Sequence, residues 1–220
     1  MDLSTFTPGS ALAIVIVLAI APFFAVMVTS FTKIVVVLSL LRNALGLQQV
    51  PPNIVLNGLA LVLTLYVMQP VGARMAEAVT GPGGSIANVT GSSDSMLNAV
   101  NLAKEPLRDF LIKHSRPNER IFFLRTAQRV DPARSVEMSD RDFVIVVPAF
   151  VVNELSVAFQ IGFLIFLPFL VIDLVISNIL LAMGMMMLSP TTISLPFKLL
   201  LFVLVDGWVK LAHGLVLSYA

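Results

Sequence analysis

The sequence contains no cysteine, which excludes disulfides, thiolate metal sites and cysteine nucleophiles. Charge is scarce as well: 12% of residues are Asp, Glu, Lys or Arg, against roughly a quarter in soluble domains. What charge there is nearly cancels, at net +1, so no basic face points to nucleic acid and no acidic tail to a cationic partner. The two histidines, at 114 and 213, lie far apart. No H-E-x-x-H and no G-x-S-x-G is present, and an aspartate dyad of Asp173 and Asp206 has no glycine-flanked context to suggest it. An intramembrane enzyme is therefore disfavoured, and no cofactor or metal is expected. The opening MDLSTFTPGS has Asp2 and neither Lys nor Arg. It lacks the positive n-region of a secretory signal, so the first apolar run is expected to remain in the mature protein.

Apolar residues fill the space that charge leaves. They make up 57% of the 220 residues, and the mean hydropathy is +0.93. This composition belongs to an integral membrane protein or to a subunit of a hydrophobic assembly. Ten of the fourteen Lys/Arg and nine of the thirteen Asp/Glu fall within 72–142, which divides the chain into an apolar segment 1–71, a soluble insert 72–142 and an apolar segment 143–220. Apolar runs cover 11–41, 54–71, 143–188 and 195–217, and a run of about 20 residues can span a bilayer. A hydropathy count thus gives four or five spans.

Two runs are too long for that count. As one helix, 11–41 would extend roughly 46 Å at 1.5 Å per residue, against a hydrocarbon core of about 30 Å, and 143–188 would be longer still. Pro22 interrupts the first, and Pro148, Gly162 and Pro168 interrupt the second. Proline inside a helix removes a hydrogen bond and kinks it, so an all-α fold of broken helices and kinked hairpins is expected. Within the insert, the Gly/Ser/Thr-rich 80–95 reads as a loop, and Asn88-Val89-Thr90 is an incidental match to the glycosylation pattern. Leu107, Phe110, Leu111 and His114 share one helical face, and a second short helix is expected over 118–129. Ser139-Asp140-Arg141-Asp142 resembles a capping box, with Asp for the usual Glu, ahead of Phe143.

Polar residues embedded in the apolar runs are the candidate functional groups: Lys33, Asn153, Glu154, Gln160, Asp173, Lys198 and Asp206, with Arg42 closing the first run and Lys210 and His213 in the last. A charge facing lipid at mid-membrane costs roughly 2.5–3.5 kcal/mol, while an apolar residue returns only about 0.3–0.6 kcal/mol. These groups are expected to pair with one another, to meet other subunits, or to face water. For Glu154, Lys198 and Asp206, pairing at subunit contacts is preferred over a proton or ion relay. Asp206 and Lys210 stand at i, i+4 with the acid first, the favourable order.

The stretch LAMGMMMLSPTTISLP (181–196) ends an apolar run in four methionines around one glycine. Methionine is unbranched, flexible and polarizable, and it fills irregular gaps. Gly184 lets the backbone bend there, and Pro190 ends the segment.

TSFTKIVVVLSLLRNALGLQQVPPN (29–53), VVNELSVAFQIGF (151–163) and LPFLVIDLVISNILLAMGMMMLSPTTISLPFKLLLFVLVDGW (167–208) resemble the FliP/SctR family of type III secretion export-gate subunits. The LGLQQVPPN and DGW wording is closer to the injectisome branch, SctR. The resemblance implies a protein-secretion role in the bacterial inner membrane, as a multi-pass subunit with no chemistry of its own. It implies a homo-pentamer that joins FliR-like SctT and FliQ-like SctS subunits in a helical cone, beside SctU-like and SctV-like components. Unfolded exported proteins would cross its lumen, driven by a cytosolic ATPase and proton motive force acting through other components. In such a ring, Met183, Met185, Met186 and Met187 around Gly184 would form a deformable apolar seal. A small-molecule or ion transporter is the remaining alternative, but the two halves show no convincing internal repeat.

Overall fold

The computed structural model describes residues 8–80, 93–131 and 138–220. Every regular element among the described residues is a helix: α1 (Pro8–Met27), α2 (Phe31–Ala44), α3 (Asn53–Thr80), α4 (Ser93–Lys113), α5 (Pro117–Val130), α6 (Phe143–Ala182), α7 (Pro190–Leu204) and α8 (Gly207–Leu217). The all-α expectation holds. The 80–95 loop and Asn88 fall largely or wholly outside the described residues.

α2 is the centre of the packing. Ile34, Val37, Leu38, Leu41 and Ala44 recur every three or four residues on its buried face, the stripe that helical periodicity requires. Its first half packs with Leu56 and Ala60 of α3, Ala158 of α6 and Leu215 of α8. Its last turn packs with Phe169 of α6 and Phe202 of α7. The insert packs into a separate cluster. Phe110 and Leu111 of α4 pack with Val71, Val146, Phe150 and Tyr219, flanked by Leu107. α5 begins with Pro117 in its first turn and buries none of its residues.

The breaks expected from proline are largely absent. α6 runs as one 40-residue helix through Pro148 and Pro168, about 60 Å at 1.5 Å per residue. α1 likewise continues through Pro22. In an apolar setting, stopping a helix exposes several backbone groups, whereas continuing it past a proline frees one. Gly162 is a packing site in place of a break: a Cβ there would sit 2.2 Å from Leu40 Cδ1, so its missing side chain lets α2 approach α6. The first run breaks at 28–30, after Pro22, where the chain bends by 64°. There the Thr29 and Thr32 hydroxyls donate to the Val26 carbonyl at 3.4 and 3.1 Å, satisfying an acceptor left over at the end of α1. The last run breaks at Val205–Asp206 with a 60° bend between α7 and α8.

Two finer expectations also shift. The Asp142 carboxylate accepts the Ser139 N–H at 2.8 Å, as a capping box requires, but α6 starts only at Phe143 with Asp142 as its cap. Pro190 opens α7, while the apolar segment before it already ends at Ala182. By length and composition two helices, α3 and α6, are able to cross a membrane, or up to four segments if each bent pair counts as one.

Candidate functional site

Two buried polar clusters and one exposed loop collect most of the residues singled out in the sequence. The first cluster joins α2, α6 and the C-terminal turn. Lys33 Nζ lies 3.6 Å from Glu154 Oε1, both side chains being almost fully enclosed. The Tyr219 hydroxyl donates to Glu154 Oε2, and Lys33 Nζ sits 3.5 Å from the centre of the Tyr219 ring. Burial, and then the Glu154 carboxylate, push the Tyr219 phenol far above its usual range, so it stays a donor. The turn after α4 closes the cluster: the His114 ring meets Tyr219 edge-on at 5.0 Å, and Asn153 Nδ2 donates to the His114 carbonyl at 2.8 Å. Burial, with the Lys33 and Lys113 cations nearby, holds His114 down to about 4. Its imidazole is therefore neutral. Ser30 Oγ and Asn153 Oδ1 have no protein partner among the described residues.

The second cluster fastens α7 to α6 and α2. Lys198 Nζ reaches Asp173 Oδ2 at 2.6 Å, and Ser194 Oγ donates to Asp173 Oδ1 at 2.5 Å. Lys198 Nζ also donates to the Ala44 carbonyl at 3.3 Å. That carbonyl belongs to the last turn of α2, where the helix dipole favours a cation. Lys33, Glu154 and Lys198 thus each find their counter-charge within their own chain.

The other candidates sit apart. Arg42 Nη1 donates to Asn53 Oδ1 at 2.5 Å and to the Pro51 carbonyl at 3.4 Å, fastening the end of α2 to the start of α3 across a cis Val50–Pro51 peptide. Gln160 is exposed on α6, and Asp206, Lys210 and His213 are exposed around the α7–α8 bend. Asp206 takes the left-handed conformation at φ 52° and ψ 46°. Among the described residues no ion pair joins it to Lys210. Only its carbonyl does so, accepting the Lys210 N–H at 3.0 Å.

The methionine loop projects from the end of α6. Gly184, at φ 72°, stands just past the helix; its N–H bonds to Leu181 O at 3.0 Å and the Met185 N–H to Leu180 O at 2.9 Å. This pair of bonds is a Schellman motif, whose left-handed position glycine fills without strain. The side chains beyond it are uncovered: Met186 is 79% exposed and Met187 fully so, with Met183 and Met185 also exposed. The stem is fixed by the Lys198–Asp173–Ser194 cluster, while the side chains are free. Ser194 and Tyr219 escaped the sequence reading. Ser194 shared a signal with Lys198, four residues away on one helical face. Tyr219, outside every apolar run, carried none.

A sequence model of the FliP family matches residues 14–215. The chain is 52% identical over 203 residues to the Yop proteins translocation protein R of Yersinia pestis, covering 92% of each. It is 46% identical over 216 residues to the hypersensitivity response secretion protein HrcR of Ralstonia nicotianae, covering 96% of this chain and 97% of that one. To the flagellar biosynthetic protein FliP of Bacillus subtilis it is 42% identical over 208 residues, covering 94% of this chain and 90% of that one.

Proposed function

Because the chain belongs to the FliP family, and is thus a type III secretion apparatus subunit and not an enzyme, we propose that it forms the wall of the conduit through which unfolded proteins leave the cytoplasm. Five copies surround the conduit in the inner membrane, each crossing it more than once, joined by SctS-like and SctT-like subunits and served by SctU-like and SctV-like components. The insert faces the periplasm. The methionine loops meet at the axis and form a seal that shuts against ions when empty and moulds around a passing polypeptide.

The methionine loop carries this reading. A solvent-exposed apolar tip on a rigid stem has no role in an isolated chain and costs exposure of apolar surface. Brought together at an axis, the same tips cover one another. The length of α6 agrees. At about 60 Å it is twice the hydrocarbon thickness of about 30 Å, yet Val144, Phe159, Phe163, Leu164, Leu174 and Leu181 keep it apolar and exposed from end to end. Lipid covers at most part of that surface, and neighbouring subunits cover the rest. Lys33, Glu154, Asp173 and Lys198 serve this assembly by holding the helices in register, with Arg42, Gln160, Asp206 and Lys210 toward neighbouring subunits. Native mass spectrometry of the complex purified from a secreting cell tests the proposal. A hetero-oligomer with five copies of this chain is expected, and a monomer or homodimer would favour a small-molecule transporter instead.

A further inference from the structure

α3 carries no charge until Arg74, three residues beyond the last buried position of its apolar run, Val71. At that level a pocket of about 250 Å³ opens between α3, α4 and the C-terminal turn. Its wall is apolar and aromatic, built by Val67, Val71, Phe110 and Tyr219, and Arg74 and Lys113 stand on it as cations. Arg74 is steadied by its Nε, which donates to the Pro70 carbonyl at 3.3 Å, and its outer guanidinium nitrogens have no hydrogen-bond partner among the described residues. The one acidic side chain in the lining, Asp109, is taken by Arg141 Nη2 at 3.1 Å. Among the described residues no acid, the Ala220 terminus included, lies within ion-pair distance of Arg74 or Lys113. Arg116, also without an ion-pair partner among them, lines the adjoining cavity that shares Lys113 and His114. His114 is neutral and adds no charge. Below the pocket Val62 and Tyr66 continue the face of Pro70 at helical spacing and are 62% and 71% exposed. They make an apolar track from the cations down the length of α3.

We propose that this pocket is a binding site for an anionic phospholipid, with the headgroup phosphate between Arg74 and Lys113 and an acyl chain along Val62 and Tyr66. Basic pockets at the end of a membrane helix can take such headgroups by the same electrostatics, and a phosphate matches the fork of an arginine beside the point charge of a lysine. The apolar track distinguishes this ligand from free phosphate, for which it provides nothing. The site is independent of the methionine seal, because it uses neither the loop nor its stem.

The test is native mass spectrometry of the complete complex in neutral detergent, titrated with phosphatidylglycerol or with phosphatidylcholine of the same chain length. The expected result is selective retention of phosphatidylglycerol. Arg74→Gln and Lys113→Gln should each weaken it about fivefold, the effect of one cation near an anionic membrane surface, and the double variant about thirtyfold. Both side chains are exposed, so the complex is expected to assemble normally, and its subunit masses report this in the same spectrum. Arg125→Gln on the outer face of α5 is the control and should change nothing. Equal loss in the control, or equal retention of the two lipids, would overturn the site. Displacement of the lipid by inorganic phosphate at the same concentration would reassign it to a free anion.

Discussion

Lys198 and Asp173 meet at 2.6 Å across 25 residues of chain, and the whole methionine loop lies between them. The pair is asymmetric: the lysine side chain is 3% exposed and the aspartate 27%. Removing the aspartate leaves a buried cation, whereas removing the lysine leaves a carboxylate that water reaches. Loss of one partner from a buried pair costs roughly 3–5 kcal/mol. Asp173→Ala is therefore expected to reach that range and to reduce recovery of the oligomer on native gels, while Lys198→Met falls below it. Equal effects of the two would show that Lys198 is not enclosed in the assembled protein.

Replacing Met185, Met186 and Met187 together with alanine should leave assembly unchanged, since substitutions at exposed positions cost the fold within about 0.5 kcal/mol each. The closed channel is expected to leak small ions, read as raised conductance or a lowered membrane potential. An unchanged seal in a fully assembled complex removes the loop from its proposed role.

Gly162→Ala places a methyl group against Leu40, and overpacking of this kind costs about 1–3 kcal/mol. Leu40→Ala in the same chain should restore part of the loss, because Leu40 is the side chain that the new Cβ meets. Gly58 has nothing within 4 Å of its missing Cβ, so Gly58→Ala in mid-helix is expected to be neutral or to stabilise by up to about 1 kcal/mol. Thermal melts of the four proteins in one detergent decide the matter.

His114 titrates at about 4 in the folded protein, below its ordinary value of about 6.5. The unfolded chain therefore binds the extra proton first. Stability from this group is present above about pH 6.5 and is lost as pH falls toward 4. The ring is half-buried, so screening reduces the effect to about 1–2 kcal/mol. His114→Phe keeps the ring contacts with Phe110 and Tyr219 and should flatten this part of the melting temperature against pH. A variant as acid-sensitive as the wild type would place the proton uptake elsewhere.

The sequence has no native cysteine, so single cysteines on α6 report their surroundings cleanly. Phe150 is unsuited, being fully buried in its own chain. At Phe159, Phe166, Leu174 and Ile176, crosslinks to neighbouring subunits are expected at most positions and lipid-phase labelling at few. Widespread lipid labelling without crosslinks would return α6 to a membrane span along its whole length.

Helical class was legible because it rests on composition and on local periodicity: the α2 stripe and the Phe110–Leu111 face follow from spacing alone. Gly184 was legible too, as glycine after a helix is a local signal. The continuity of α6 was not. Pro148 and Pro168 each report a local penalty, and nothing in their neighbourhood records the backbone groups that a break would expose. The partners of Lys33 and Lys198 were equally hidden. Each embedded charge announced that it needed a counter-charge, but Glu154 and Asp173 are brought to them by helix packing over long separations. The one pair proposed from spacing, Asp206 with Lys210, does not form, because Asp206 sits in a left-handed turn outside the helix that carries Lys210.

The bond from Lys198 to the Ala44 carbonyl spans 154 residues of chain. A ribosome adds about 5–20 residues per second, so roughly 8–30 s separate the synthesis of its two ends. Glu154 also follows Lys33 by more than half the chain. Through that interval α2 exists with a cation in an apolar helix and no acid to meet it. The first half of the protein is thus a dependent of the second during biosynthesis, held by insertion machinery or by water until α6 and α7 arrive. A chain cut short before Lys198 leaves the last turn of α2 unfastened, and cellular proteolysis is the expected fate of such a fragment.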